Sequence, residues 1–163
     1  MTRARISQLV VKARQRWAKD PAITRLRVDV ADLLDANGGV MTVGELAQTL
    51  VTKRGSVQDE PHRTRYALAV ARAALETERD AAEPRFQERR SGETVLVAVS
   101  EEAADYAVNL GRAADALAAT DPLAAPSRVV AALQDIEVPS DARVLPAAPL
   151  VSLAAAASRS VSE

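Results

Sequence analysis

Between Gly38 and Val99 the residues fall into a turn, a short helix, a longer helix and a β-hairpin, and that order outlines a winged helix. Such a scaffold carries no chemistry of its own. It holds one helix and one hairpin tip at a fixed spacing, which suits a DNA duplex or a groove on a protein.

Each element announces its ends. Asn37-Gly38-Gly39 stops a preceding helix, because Asn and Gly tolerate the left-handed backbone of a helix C-terminus. Val40-Met41 can make one short strand pairing. Thr42-Val43-Gly44-Glu45 matches a capping box and opens a helix that turns Val43, Leu46, Ala47, Leu50 and Val51 inward. Lys53-Arg54-Gly55 closes it, with cations at the negative end and Gly at the exit. Asp59-Glu60-Pro61 begins the longer helix, which should reach about Arg79 and bury Tyr66, Ala67, Val70, Ala71, Ala74 and Leu75. Phe86, Glu88 and Arg90 then alternate with Gln87 and Arg89, Ser91-Gly92 reads as a turn, and Thr94 to Val99 is rich in β-branched residues.

The flanks read as helical. Ile6, Leu9, Val10, Ala13 and Trp17 have amphipathic spacing, with Arg5, Lys12, Arg14, Arg16 and Lys19 on the other faces. Asp20-Pro21 breaks that helix, and Ala22 to Ala36 forms a second around Ile23, Leu26, Val30, Leu33 and Leu34. After the hairpin, Ser100-Glu101-Glu102 starts a helix to Thr120 on Ala103, Tyr106, Ala107, Leu110, Ala114 and Leu117. Pro126 to Ile136 is a shorter one. Val138 to Pro149 has three prolines and no period, and reads as a linker. Leu150 to Arg159 could be helical, yet nothing after it could cover its apolar face, which suggests a piece cut from a longer protein. The expected organisation is a basic helix over 1–21, a winged helix over 22–99, a helical extension over 100–137, and a linker with a terminal helix over 138–163. The expected fold class is mainly α: a winged helix-turn-helix with a β-hairpin wing and additional flanking helices.

Composition narrows the function classes. Hydrophobic residues make up 48% of the chain, but only one Phe, two Tyr and one Trp occur, so the core must come from small aliphatic side chains on closely packed helices. There is no cysteine, which excludes disulfides and thiolate metal sites. No apolar run approaches the roughly 20 residues that cross a bilayer, and no signal-peptide core follows the basic start, so a cytoplasmic protein with no membrane partner is expected. The net charge of −1 hides an asymmetry. Residues 1–27 hold eight Lys/Arg against one acid, whereas residues 101–163 hold four against nine. A nucleic acid should therefore meet the front of the chain.

Catalytic chemistry is absent from this reading. His62 is the only histidine and sits at a helix entrance, where a solvent-exposed or phosphate-contacting role suits it better than general base. Asp29, Asp32 and Asp35 lie three apart and could hold a divalent cation, but they read more simply as a solvated face. Glu101 and Glu102 are first-turn charges that the helix dipole favours. Gly38-Gly39 lacks the downstream Gly-Lys of a phosphate loop. No catalytic residue, metal or cofactor is expected, and no enzyme.

The basic decoration of the winged helix points to double-stranded DNA. Arg63, Thr64 and Arg65 lead the third helix, where a recognition helix meets base edges or phosphates, and Arg89 and Arg90 flank the wing turn. Lys53 and Arg54 close the preceding helix. The competing reading makes these ordinary surface arginines paired with Asp59, Glu88 and Glu93. The cations before Asp20 could bind phosphates as a helical arm, but a helix packed on the core is favoured because Leu9 and Trp17 need cover. The alternative to DNA is a protein-interaction or regulatory module of a larger multidomain protein, docking through the helix after Ser100 and the Leu150 segment onto other domains or subunits.

Two resemblances bear on this. Gly38-Gly39-Val40-Met41-Thr42-Val43-Gly44-Glu45-Leu46-Ala47, Pro61, Phe86-Gln87-Glu88-Arg89-Arg90 and Val95-Leu96 resemble the HARE-HTH winged-helix family of bacterial restriction systems, RNA polymerase delta subunits and chromatin proteins. The broader run from Gly38 through Ala157, including Glu60-Pro61 to Ala74, Pro84-Arg85-Phe86 and Leu153 to Ser158, is similar to a segment beyond the kinase domain of actinobacterial phage-growth-limitation (BREX-type) serine/threonine kinases. That second resemblance implies a non-catalytic module of a phage-defence protein. No Gly-rich kinase loop, catalytic Asp loop or Asp-Phe-Gly motif occurs in the chain itself.

Overall fold

A computed structural model of the chain describes residues 3–158. Its elements run α1 (Arg3–Ala18), α2 (Pro21–Ala36), β1 (Val40–Thr42), α3 (Val43–Arg54), α4 (His62–Glu78), β2 (Gln87–Ser91), β3 (Thr94–Ala98), α5 (Glu101–Thr120), α6 (Pro126–Gln134) and α7 (Ala147–Ala157). The fold is mainly helical, with one three-stranded antiparallel sheet in the order β1-β3-β2. The succession α2-β1-α3-α4-β2-β3 is that of a winged helix.

Local chemistry sets the boundaries. Asp20 caps α2 by accepting the Ala22 N–H at 2.8 Å. At its other end Gly38 and Gly39 both have φ of +88°, and the Gly39 N–H reaches back to the Leu34 carbonyl at 2.7 Å. The capping box is formed as expected: the Glu45 N–H donates to Thr42 Oγ1 at 3.1 Å, and the Thr42 N–H donates to Glu45 Oε2 at 3.1 Å. Ser91 pairs with Thr94, so Gly92-Glu93 makes the hairpin turn, one residue later than Ser91-Gly92. Ser100 caps α5 by accepting the Ala103 N–H at 2.9 Å.

The sheet is covered on both faces. Met41 and Val97 turn toward a core of Leu26, Val30, Leu34, Leu46, Leu50, Ala74 and Phe86. Their neighbours Val40, Leu96 and Ala98 turn toward a second core with Tyr106, Leu110, Leu133, Leu145, Leu150 and Leu153. The alternation is that of a pleated strand, and it fastens α5, α6 and α7 to the back of the winged helix.

Several expectations change here. The helix after Ser100 and the Leu150 segment bury their apolar faces against each other and the sheet, so these two docking surfaces are already occupied. Arg159, where that last helix was to end, lies outside the described residues, as do Met1 and Thr2. The stretch 138–149 does not hang free: Leu145 is buried, the Arg143 N–H donates to the Gly38 carbonyl at 3.3 Å, and Arg143 pairs with Asp35 at 2.8 Å. In α4, Tyr66 and Val70 remain 57% and 41% exposed. The fully buried stripe of α4 starts at Ala71 and continues through Ala74 and Leu75, with Ala67 and Leu68 half-buried against the same core. Helix α1 also packs only at one end: Ala13, Arg14 and Trp17 are half-buried, whereas Ile6, Leu9, Val10 and Val11 are exposed.

Candidate nucleic-acid interface

The third helix of a winged helix offers its outer side to a partner, and here that side belongs to α4. At its entrance Arg63 donates from Nε to the Gln58 carbonyl at 2.9 Å and lies 3.8 Å from the exposed Asp59 carboxylate. Thr64 Oγ1 donates to Glu60 Oε2 at 2.9 Å, so both residues help tie the 55–61 loop to the helix. Arg65 is exposed and makes no ion pair. His62 is exposed beside them.

Lys53 and Arg54 do not stand free. Lys53 Nζ sits 2.9 Å from Asp29, and Arg54 Nε donates to Asp29 Oδ2 at 2.6 Å. The hydrogen bond from Lys53, then that from Arg54, hold the Asp29 carboxyl below its ordinary value of 3.8. Asp32 lies 4.0 Å from Lys53, and Asp35 takes Arg143. The three aspartates of α2 thus serve as ion-pair partners, and among the described residues no cluster of His, Asp or Glu could hold a metal.

The two wing arginines part company. Arg89 opposes Leu96 in β3 and Arg90 opposes Val95, so their side chains leave opposite faces of the sheet. Arg89 turns to α5, 3.4 Å from Glu101 and 2.9 Å from Asp105. Arg90 turns to α4 and lines a groove with Arg72, Glu76, Glu88 and Val95. Arg63, Lys53, Arg54 and Arg89 are therefore engaged by groups of the fold itself, and of the expected cations Arg65 and Arg90 remain unpaired. The sequence reading passed over Arg72, which is also exposed and unpaired. Its signal was available: it lies seven residues after Arg65, on the same side of one helix.

Helix α1 leans against α4. Arg14 pairs with Glu76 and lies 3.7 Å from Asp80, at the far end of α4. Behind this contact, Glu78 is wholly buried and binds Arg27 of α2 at 2.5 Å and the Arg85 N–H at 2.8 Å. The acids at the far end of α4 are thereby met by cations of the fold, whereas Glu60 at its entrance is exposed and holds only Thr64. Among the described residues, exposed cations without an ion pair are left on α1 (Arg5, Lys12, Arg16), just after it (Lys19), on α2 (Arg25), on α4 (Arg65, Arg72), on β2 (Arg90) and on α5 (Arg112, which donates only to Asn109). The hairpin turn itself carries Glu93.

No protein-family model matches the chain, and no solved structure does. The chain is similar to a stretch of the probable kinase PglW of Streptomyces coelicolor, 34% identical over 179 aligned positions that take in 97% of this chain. It spans only 12% of that protein's length. The likeness agrees with the resemblance to phage-growth-limitation kinases, while the HARE-HTH resemblance rests on its own residues alone.

Proposed function

We propose that this chain is a non-enzymatic recognition module of a phage-defence protein, and that it binds double-stranded DNA along α4 and the adjoining β2. The observation that carries the reading is the sorting of charge around α4. Glu76, Glu78 and Asp80 at its far end are each met by a cation within the fold, while Arg65, Arg72 and Arg90 face solvent unpaired, which favours a positive surface on the side a winged helix presents. The phage-defence setting draws on the likeness to PglW.

The test is duplex binding by the intact chain. Fluorescence anisotropy with a duplex of about 20 base pairs at roughly 50 mM salt should show binding that weakens linearly in log-log as salt rises. The Arg65→Ala/Arg90→Ala variant should lower that slope by about 0.9 per lost phosphate contact. Absence of binding at low salt overturns the reading.

A second reading has its own observation. Ile6, Leu9 and Val10 form an exposed apolar face on α1, and the chain covers a small part of a much longer relative. An adjoining domain packed on α1 would account for that face. It predicts that Leu9→Ser raises the solubility of the isolated chain and leaves duplex binding unaltered.

A further inference from the structure

Helix α1 contains no acid, and its sequence RARISQLVVKARQRWA places Arg5, Lys12 and Arg16 at i, i+7 and i+11. At roughly 100° per residue these three fall within about 40° of arc, so they form one row along the helix. Lys19, the first residue past the end of α1, continues it. All four are exposed and none makes an ion pair. Among the described side chains of α1, Arg14, on another face, is the cation that is neutralised, by Glu76 and Asp80, and that contact fixes the helix against α4. One helix thus carries two kinds of cation. One kind builds the fold, and the other is left to solvent in a row about 16 Å long at 1.5 Å per residue.

We infer that this row is a second DNA-backbone contact, on the side of α1 turned away from the Arg14 contact with α4, and that it reads no sequence. The inference rests on the DNA-binding reading above and adds a site to it. A duplex carries a charge every ~1.7 Å along its axis, so a straight row of cations on a rigid helix can neutralise several phosphates at once. Long, flexible Lys and Arg side chains without hydrogen-bonding partners suit phosphate rather than base edges. An anionic membrane is the other surface that basic amphipathic helices meet. The packing disfavours it: Ala13, Arg14 and Trp17 are half-buried on the fold, so the apolar face of α1 is not free along its whole length to enter lipid.

The experiment compares the intact chain with the Lys12→Ala/Arg16→Ala/Lys19→Ala variant, using the same labelled duplex over a salt series. The three positions are solvent-exposed, and circular dichroism checks that helix content is retained. The triple variant should bind roughly tenfold or more weakly near 100 mM salt, with the salt slope lowered by about 0.9 for each lost contact. Equal loss on two duplexes of unrelated sequence supports a backbone contact, whereas loss on one alone overturns it. Unchanged binding by the triple variant, with Arg65→Ala/Arg90→Ala impaired, overturns the α1 contact and leaves the α4 reading standing. No duplex binding by the intact chain overturns both, as does binding to vesicles of about 30% phosphatidylserine in place of DNA.

Discussion

Gly111 of α5 lies directly beneath the main chain of Ala157 in α7: a Cβ on Gly111 would stand 2.5 Å from both the carbonyl carbon and the carbonyl oxygen of Ala157. Backbone cannot swing aside as a side chain can. Ala at an open helical site gains up to about 1 kcal/mol over Gly, but here the overlap must push α7 off α5. Gly111→Ala should therefore destabilise the chain by a net 1–2 kcal/mol or so, lowering the thermal midpoint by roughly 2–8 °C. Gly44 is the control. A Cβ there meets only Thr42 Oγ1 at 3.9 Å, so Gly44→Ala should be neutral or stabilising by a few tenths of a kcal/mol. Thermal melts of the two variants settle the contrast.

Glu78 ties three parts of the winged helix together. It is completely buried at the end of α4 and takes Arg27 from α2 and Arg85 from the approach to β2. Burial, the largest single influence, pushes its carboxyl up, but Arg27, the Arg85 N–H and the Arg85 side chain together hold it below the ordinary 4.5. A carboxyl whose folded value is depressed adds stability that is fully present above its unfolded value and is lost as pH falls through the folded one. Denaturant titrations should accordingly show this contribution intact above about pH 4.5 and failing in more acid solution. Glu78→Ala leaves Arg27 without its partner and should cost about 3–5 kcal/mol near neutral pH, with the acid dependence reduced.

The sequence was most readable where a local rule acts within a few residues. Thr42 and Glu45, Ser100, Asn37-Gly38-Gly39 and the Phe86–Val99 hairpin all lie where their own neighbours dictate the backbone. What escaped depends on distant partners. Leu145 reads as part of a proline-rich linker, but it is buried because the Gly38 side of the α2–β1 turn has no Cβ and lets it in: a Cβ on Gly38 would stand 2.5 Å from Leu145 Cδ2. The α7 stripe lacks any visible cover in sequence because its cover is α5, some forty residues earlier. For the candidate site, residue type was legible and availability was not. Lys53 and Arg89 look alike in sequence to Arg65 and Arg90, and only the fold brings Asp29 to the first and Asp105 to the second.

The capping box offers a test confined to one turn. Thr42 accepts the Glu45 N–H, and its own N–H is taken by the Glu45 carboxylate, whose other oxygen accepts from Ser152 Oγ at 3.0 Å. Thr42→Ala should lower stability by about 1 kcal/mol, through the lost cap at the start of α3. Thr42→Ser retains the acceptor and should recover most of that loss. Equilibrium unfolding of both variants reads the difference.

Arg89 and Arg90 are neighbours with opposite assignments. The pleat sends Arg89 to Glu101 and Asp105 on α5, and Arg90 to the groove beside Arg72 on α4. If DNA lies along α4, Arg90→Ala should weaken duplex binding and lower the salt slope by about 0.9, while Arg89→Ala should leave both unchanged. Arg89→Ala should instead loosen the hairpin on α5. Asp105 is half-exposed and Glu101 more so, and solvent screens the pair, so a double-mutant cycle with Asp105→Ala should give a coupling of only about 0.2–1 kcal/mol in stability. Equal loss of duplex affinity in the two single variants would mean that the hairpin meets DNA by its tip, where both side chains can reach round, and not by its α4 side.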